Sequence, residues 1–305
     1  MIILFTYKDT WMSYMYYLIQ RVKQLKFKIL HKFNKKLFDK AEVIIPFGIH
    51  SQTELNNYSE YKHKFLVNKN YVYNILDDKK NFYNFIKKYN LLNNTNIHLI
   101  KTYTKSNLYC NKYGQFLIKD TLGIGSNYNH IESGYLHNLI RKYSKNYQIQ
   151  DIIDGQYIDA INCLCKDGKI IRSLNFQAKH KKIKNKFELL DQQYFCETDS
   201  KFLKVIENIV EKLNYSGFIE FEFITDSTKQ KIYLMECNPR ISGNLLCDMK
   251  NTFCPFIAEL IIPYIYLIQN KQYNTKTYDI TPILYNSDII MCDYKLCNCG
   301  CVKLS

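Results

Sequence analysis

The chain has 305 residues, of which 47% are hydrophobic and 23% are charged, a globular balance that excludes general disorder. The net charge of +14 arises from basic residues spread along the whole chain, which favours a solvated basic surface over a nucleic-acid site. The longest apolar stretch, Phe256 to Ile268, falls short of the ~20 residues of a membrane span. The first residues also lack the basic start of a secretory signal, so no membrane association is expected.

Eleven cysteines are distributed without the regular spacings of a disulfide framework. We therefore expect reduced thiols and a soluble protein of the cytoplasm. Four of the cysteines crowd a tail predicted over residues 291–305: Cys292, Cys297, Cys299 and Cys301. Their spacing matches no standard zinc finger, which favours a loose reduced tail over the alternative of a soft-metal site.

Residues 1–77 alternate between short β-branched or aromatic runs and amphipathic stretches. The runs predicted as strands are Ile2–Tyr7, Phe27–Phe33 and Glu42–Phe47. A helix is predicted over Trp11–Lys26, and Ser51 is the predicted N-cap of a further helix with Glu54 at its third position. This order predicts a small α/β domain with a mainly parallel sheet.

Residues 78–290 are predicted to form a second domain of two α+β lobes, one of which spans about 100–153. The predicted helices are Lys79–Tyr89, Ser133–Tyr143 and Ser200–Leu213. The predicted strands are Ile97–Thr102, Gln115–Lys119, Tyr147–Ile153, Tyr157–Cys165, Ile170–Ala178, Gly217–Thr225 and Lys231–Cys237. The fold class expected from the whole chain is therefore mixed α/β and α+β.

Two neighbouring strand-like segments combine acids with apolar residues in alternation. In Gly217–Thr225, Glu220 and Glu222 alternate with phenylalanines, so both carboxylates point to one face of the strand. In the next segment, Glu236 and Asn238 share a side for the same reason. If the two strands pair as a hairpin, Glu222, Glu236 and Asn238 converge as oxygen ligands suited to Mg²⁺. The alternative is a solvent-facing acidic strand with a structural Asn-Pro turn.

A glycine turn follows the predicted strand that ends at Lys119. Gly123 and Gly125 let backbone N–H groups approach an anion, and the Ser126 hydroxyl adds a further donor. The turn lacks the GxxxxGK[ST] pattern of a P-loop, and a simple turn without a ligand is the alternative. Its place directly after a strand-ending lysine favours phosphate binding.

The run Glu236-Cys-Asn-Pro-Arg-Ile-Ser-Gly243 resembles the signature E-x-N-P-R-x-S-G of the ATP-grasp superfamily, especially relatives of carbamoyl phosphate synthetase and biotin carboxylase. The resemblance covers roughly Leu76 to Pro263. It implies an ATP-grasp fold, in which a small N-terminal α/β domain precedes two α+β lobes with ATP bound between them. It also implies that Glu222 is the remaining metal ligand and that Arg240 is the catalytic cation beside the transferred phosphate.

The resemblance further implies which basic side chains contact ATP. Lys79, in the run Asp78-Lys-Lys-Asn-Phe82, and Lys119 correspond to the family's phosphate-binding residues, with Lys80 as a neighbouring candidate. The glycine turn after Lys119 is similar to the family's mobile lid over the triphosphate. Lys179 corresponds to a further basic residue facing phosphate or an acidic substrate, and a solvated charge run is the alternative there.

The adenine side of the site is assigned by the same resemblance. Asp151 stands for the acid of the family's adenine segment, and Ile152 and Ile153 would lend backbone atoms to the adenine. The family's glutamate near the ribose is replaced by Gln156 or Tyr157, a departure that leaves the ribose contact open. A hinge strand without a ligand is the alternative.

The activity implied by the resemblance is that of an ATP-dependent carboxylate–amine ligase. ATP and Mg²⁺, with Mn²⁺ as a substitute ion, are the expected cofactors, and a small carboxylate and a nucleophile are the expected partners. The carboxylate would be activated as an acylphosphate for attack by an amine. One alternative is a nucleotide-binding or regulatory module without turnover, and another is a basic nucleic-acid-binding protein. Carbamoyl phosphate synthesis is disfavoured because only one such unit is present.

Overall fold

The computed structural model describes most of the chain in separate stretches. They are residues 1–7, 26–122, 130–143, 146–155, 157–183, 186–196, 198–228, 230–242, 257–271, 294–296 and 302–304. Several predictions concern residues outside these stretches. These residues are most of the predicted helix Trp11–Lys26, the turn with Gly123, Gly125 and Ser126, the ribose-side Gln156, and the four cysteines of the tail.

The first sheet has three parallel strands in the order β2-β1-β3, which confirms the predicted parallel arrangement. The elements are β1 (Ile2–Phe5), β2 (Phe27–Leu30), α1 (Lys35–Lys40), β3 (Val43–Pro46) and α2 (Ile49–Leu55). Strand β1 lies in the middle of the sheet and is buried along its whole length, as its continuous apolar run requires. Phe38 of α1 and Leu55 of α2 are buried in the core on one face of the sheet.

The start of α2 differs from the sequence prediction, which was wrong about its cap. Gly48 is the N-cap residue, and Ser51 is the third residue of the helix. The Ser51 hydroxyl accepts a hydrogen bond from the Gly48 N–H (3.0 Å) and donates one to the Gly48 carbonyl (3.1 Å). A short hydroxyl side chain satisfies backbone groups from the third position as well as from the cap, so the helix begins one residue after the glycine.

The largest sheet has six strands in the order β11-β10-β9-β12-β13-β4. The strands are β4 (Ile97–Leu99), β9 (Tyr157–Lys166), β10 (Lys169–Ile183), β11 (Lys186–Cys196), β12 (Gly217–Thr225) and β13 (Ile232–Asn238). Neighbouring strands are antiparallel, except that β4 runs parallel to β13. The helices that share its core are α3 (Asn70–Asp77), α4 (Lys79–Lys88) and α6 (Ser200–Leu213).

Strand β12 presents Phe221 and Phe223 to these helices. The Phe221 ring lies 6.3 Å from the ring of Phe82 in α4, and the Phe223 ring lies 4.7 Å from Phe202 in α6. Because side chains alternate along a strand, the acidic residues of β12 belong to the opposite face of the sheet. The apolar half of the alternating pattern is thus explained by helix packing.

A separate four-stranded antiparallel sheet has the order β5-β8-β6-β7. Its elements are β5 (Thr102–Tyr103), β6 (Tyr113–Asp120), β7 (His130–Tyr135), α5 (Leu136–Tyr143) and β8 (Tyr147–Asp151). Ser133, predicted to start a helix, instead lies in β7 opposite Gln115 of β6. Pairing with β6 holds residues as far as Tyr135 in the sheet, so α5 begins only at Leu136.

Helix α7 (Ile262–Ile268) follows a π-helical turn over Ile257–Ile261 and returns to the first sheet. The Tyr264 hydroxyl donates to the Ile44 carbonyl (3.0 Å) and accepts from the Leu66 N–H (2.9 Å). None of the helices in the described stretches has the length and apolarity that a membrane crossing needs. The remaining elements are 3₁₀ turns at Ser59–Lys64 and Lys105–Asn107, and the antiparallel pair β14 (Tyr294–Leu296) and β15 (Val302–Leu304).

Candidate functional site

The acidic residues of β12 and β13 lie side by side on one face of the six-stranded sheet. The two strands pair antiparallel as predicted, with Glu222 opposite Glu236 and Glu220 opposite Asn238. A bulge between Glu222 and Phe223 shifts the register at the next pair. The hairpin therefore brings the three predicted metal ligands to adjacent positions, next to a further carboxylate at Glu220.

Two lysines from different elements converge on Glu236. Lys119, at the end of β6, is 3% exposed and places Nζ 3.3 Å from Glu236 Oε2. Lys79, the first residue of α4, places Nζ 3.9 Å from the same oxygen, and its N–H donates to the Thr121 carbonyl just beyond β6. Against the opposing effect of burial, the two lysines lower the pKa of Glu236 to about 2. Glu236 is therefore an ionised carboxylate between two cations.

The start of α4 is set by a capping side chain. Asp78 accepts a hydrogen bond from the Asn81 N–H (2.7 Å), which places Lys79 at the first helical position. In the run that resembles the family's phosphate-binding motif, the acid Asp78 therefore caps α4, and the first lysine, Lys79, is directed to Glu236. Lys80 belongs to the same helix and remains the neighbouring candidate.

The pKa of Glu222 is shifted in the opposite direction from that of Glu236. Burial, together with the neighbouring carboxylates of Glu236 and Glu220, raises the pKa of Glu222 well above its usual value. A divalent cation would remove this repulsion. Among the described residues, no three His, Cys, Asp or Glu side chains form a ready-made metal site. Two carboxylates with the Asn238 amide oxygen nevertheless fit Mg²⁺, which takes few protein ligands and completes its shell with phosphate oxygens and water.

Asn238 links the acidic strands to Arg240. Its Oδ1 accepts a hydrogen bond from Arg240 Nη1 (2.8 Å), and its Nδ2 donates to Glu220 Oε2 (2.8 Å). Arg240 Nη1 also lies 3.9 Å from Asp77 Oδ1 at the end of α3. The Nε atom of Arg240 is buried and has no hydrogen-bond partner in the described structure, so it is a donor available to a bound anion.

The N-terminal part of the chain forms direct hydrogen bonds with the residues on either side of Arg240. Gln52 of α2 is buried and donates from Nε2 to the Pro239 carbonyl (2.7 Å). The Ile241 N–H donates to the Phe47 carbonyl, just after β3 (3.3 Å). These contacts hold both sides of Arg240, and they join residues almost two hundred positions apart, so no local pattern could have predicted them.

In the predicted adenine segment, the side chain of Asp151 makes hydrogen bonds within the four-stranded sheet. Asp151, at the end of β8, accepts hydrogen bonds from the Tyr103 hydroxyl (2.8 Å) and from Lys112 Nζ (2.9 Å). Ile152 and Ile153 follow in an extended connection to β9 and are partly buried. Asp151 thus has a structural role within the four-stranded sheet, and the adenine contact stays a prediction.

Lys179 does not join the Glu236 cluster. It pairs with Tyr157 of β9, and its Nζ lies 5.8 Å from the centre of that ring. Strand alternation assigns Lys179 to the face that carries Phe223, opposite the face of Glu222. The structure therefore unites Lys79, Lys119 and the acidic strands but leaves Lys179 apart from them.

Sequence reasoning missed three residues of the site, each for a different reason. Glu220 was visible in the alternation of β12 but had no assigned task. Asp77 was hidden beside the Asp78–Lys79 pair, and burial raises its pKa while Arg240 and Lys79 oppose that shift. Gln52 had no signal at all, because its partner is distant in the chain.

Solved structures share this architecture at low sequence identity. The chain is similar to a carboxyaminoimidazole ribonucleotide synthase from Aspergillus clavatus complexed with ATP, with a TM-score of 0.58 and 10% identity over 91% of this chain and 78% of that chain. It is also similar to a D-alanine–D-alanine ligase from Bacillus anthracis complexed with ATP, with a TM-score of 0.53 and 12% identity over 88% and 96% of the two chains.

A third similar structure is an L-amino acid ligase from Bacillus licheniformis, with a TM-score of 0.52 and 11% identity over 79% of this chain and 67% of that chain. No protein-family model matches the sequence, and neither does any curated protein. The chain has the ATP-grasp fold, as the resemblance of its Glu-x-Asn-Pro-Arg run implied.

Proposed function

We propose that this protein is an ATP-dependent ligase that activates a small carboxylate as an acylphosphate for attack by an amine. The observation that carries the proposal is the convergence of Lys79 and Lys119 on Glu236, directly opposite Glu222 and next to Asn238. Two cations and two carboxylates in one cluster match the needs of a metal-bound triphosphate, whose negative charge must be neutralised without excluding the metal.

Each side chain has a defined task in this proposal. Lys79 and Lys119 would exchange part of their contact with Glu236 for phosphate oxygens of ATP. Glu222, Glu236 and Asn238 would hold Mg²⁺, which when bound neutralises charge on the β- and γ-phosphates. The similar structures complexed with ATP support nucleotide binding by this chain.

Arg240 would act on the transferred phosphoryl group. A carboxylate oxygen attacks the γ-phosphorus, the bond to the ADP oxygen breaks, and ADP leaves. The amine then attacks the acyl carbon, phosphate leaves, and the amine loses a proton. The guanidinium stays charged throughout, and its buried Nε, which has no partner among the described residues, gives it a donor for the developing charge. Positioning and charge neutralisation supply the catalysis, so no protein nucleophile is needed.

The test uses hydroxylamine in place of the unknown amine. The protein is incubated with Mg-ATP, hydroxylamine and one carboxylate at a time from a panel of amino acids and small organic acids. An acylphosphate is then trapped as a hydroxamate, which is measured together with ADP. We expect hydroxamate and ADP in equal amounts with the cognate carboxylate, and a loss of at least ~100-fold in Glu236→Gln.

The melting temperature of Glu236→Gln serves as the control for folding. Tight Mg-ATP binding without hydroxamate or ADP from any carboxylate would favour the alternative, a nucleotide-binding module without turnover. Full activity of a folded Glu236→Gln variant would refute the assignment of the metal ligands.

A further inference from the structure

Glu220 is a buried carboxylate that the proposed chemistry does not yet use. It lies on the same face of β12 as Glu222, two residues away, and is only 1% exposed. Its Oε2 accepts a hydrogen bond from Asn238 Nδ2 at 2.8 Å, and its Oε1 accepts one from the Ser242 hydroxyl at 2.5 Å. Both carboxylate oxygens are therefore held by donors, one at the start of the Asn-Pro-Arg turn and one just beyond it.

These contacts determine which way the Asn238 amide faces. A carboxylate accepts from both oxygens, so the amide end next to Glu220 must be the NH₂ group. A guanidinium only donates, so the amide end next to Arg240 must be the carbonyl oxygen. The two partners enforce the same orientation independently, with Oδ1 turned away from Glu220.

The orientation matters because only one end of an amide can ligate a cation. If Arg240 turns to a bound phosphate, it releases Asn238 Oδ1, and the hydrogen bond to Glu220 then holds the amide. Without that acceptor, the amide can rotate and present its NH₂ group, which repels a metal ion. Mutation of residues that orient metal ligands in this way typically lowers metal affinity about 10–100-fold.

We infer that Glu220 is a positioning residue, which holds the Asn238 carbonyl oxygen toward the metal through the Nδ2 hydrogen bond. Ser242 would fix the plane of the Glu220 carboxylate through the second oxygen. The inference rests on the proposed function, because it assumes that Asn238 binds the metal that accompanies ATP.

The experiment measures metal coupling, defined as the ratio of the ATP dissociation constants in EDTA and in saturating Mg²⁺. Calorimetry gives both constants for the full chain, so the readout does not depend on turnover. Glu220→Ala and Glu220→Gln remove the same charge, but only glutamine keeps an oxygen that can accept from Asn238 Nδ2. The difference between the two variants therefore isolates the hydrogen bond.

We expect Glu220→Ala to lower the metal coupling about 10–100-fold while leaving the affinity in EDTA within about twofold of wild type. Glu220→Gln should retain the coupling within about threefold, because its side-chain oxygen replaces the lost acceptor. Ser242→Ala should lower the coupling by about three- to tenfold, and it replaces Glu220→Ala as the readout if that variant does not fold.

Wild-type coupling in Glu220→Ala, or in Ser242→Ala when it is the readout, would overturn the inference. Equal losses in Glu220→Ala and Glu220→Gln would also overturn it, since they would show that Glu220 acts by its charge or binds the metal itself. Absence of metal coupling in the wild type is a separate outcome, which refutes the proposed use of the metal and with it the premise of the inference.

Discussion

Replacing Lys119 with methionine removes one positive charge from the centre of the site. Lys119 is 3% exposed, so an unbranched apolar side chain of similar length keeps most of its packing, whereas alanine would leave a cavity. Its Nζ lies 3.3 Å from Glu236 Oε2, and Lys79 lies 3.9 Å from the same atom. The substitution therefore leaves Glu236 with one cation rather than none.

The expected effects on affinity and on stability differ in size. A charge-assisted hydrogen bond to phosphate contributes ~1.5–3 kcal/mol, so the dissociation constant of Mg-ATP should rise about 10- to 100-fold. Removing one partner of a fully buried ion pair costs ~3–5 kcal/mol of unfolding free energy. We expect a smaller loss here, because Glu236 is 17% exposed and keeps its contact with Lys79.

The assay compares Lys119→Met with Lys87→Met, a matched change of an exposed lysine at the far end of α4. Mg-ATP affinity, urea unfolding and binding to a mixed-sequence RNA are measured for both at the same salt. Only Lys119→Met should weaken ATP binding, and both should change RNA binding equally little, since each removes one charge from a diffuse field. Undiminished ATP affinity in a folded Lys119→Met variant would refute the phosphate assignment, and tight, salt-resistant RNA binding would restore the nucleic-acid alternative.

Two further predictions test the surroundings of the site. Gln52→Leu should lower the free energy of unfolding by ~1–3 kcal/mol, because the buried Pro239 carbonyl loses its donor; urea denaturation measures this, and a change below ~0.5 kcal/mol would contradict it. Gly155→Ala should lower both the melting temperature and the ATP affinity, because the added methyl group would lie 2.4 Å from the Thr225 carbonyl. Gly114→Ala is the control, since its methyl group would meet nothing nearer than 3.8 Å, and equal effects of the two substitutions would refute the steric argument.

Local sequence patterns were enough to predict a large part of the fold and of the candidate site. The alternation of Glu222 with phenylalanines was enough to predict a strand with one acidic and one buried face, because the pleat gives every strand a two-residue period. The antiparallel pairing of β12 with β13 agrees with the hairpin considered for these two adjacent strands, whereas the bulge that sets Glu222 opposite Glu236 was not predicted. The same locality explains why the bounds of α6, Ser200–Leu213, agree with the predicted helix.

The local sequence did not predict where a helix begins when a residue type is compatible with more than one position or element. Ser51 satisfies backbone groups at the third position of α2 as readily as it would at the cap, so the residue type alone could not place the helix start. The residue type of Ser133 is compatible with the start of a helix or with a strand, and pairing with the neighbouring strand β6 places it in a strand. The domain boundaries at residues 77 and 290 stay predictions.

Tertiary structure alone decided how the site is assembled. Lys119, Lys79 and Glu236 come from three separate elements, and the hydrogen bond from Gln52 to Pro239 joins parts of the chain far apart in sequence. Such contacts depend on how whole sheets and helices pack, and the periodicity of one element does not show which residue of a distant element it will meet. The sequence by itself determined which side chains carry charge and on which face of a strand they lie, and only the packing decided which of them meet.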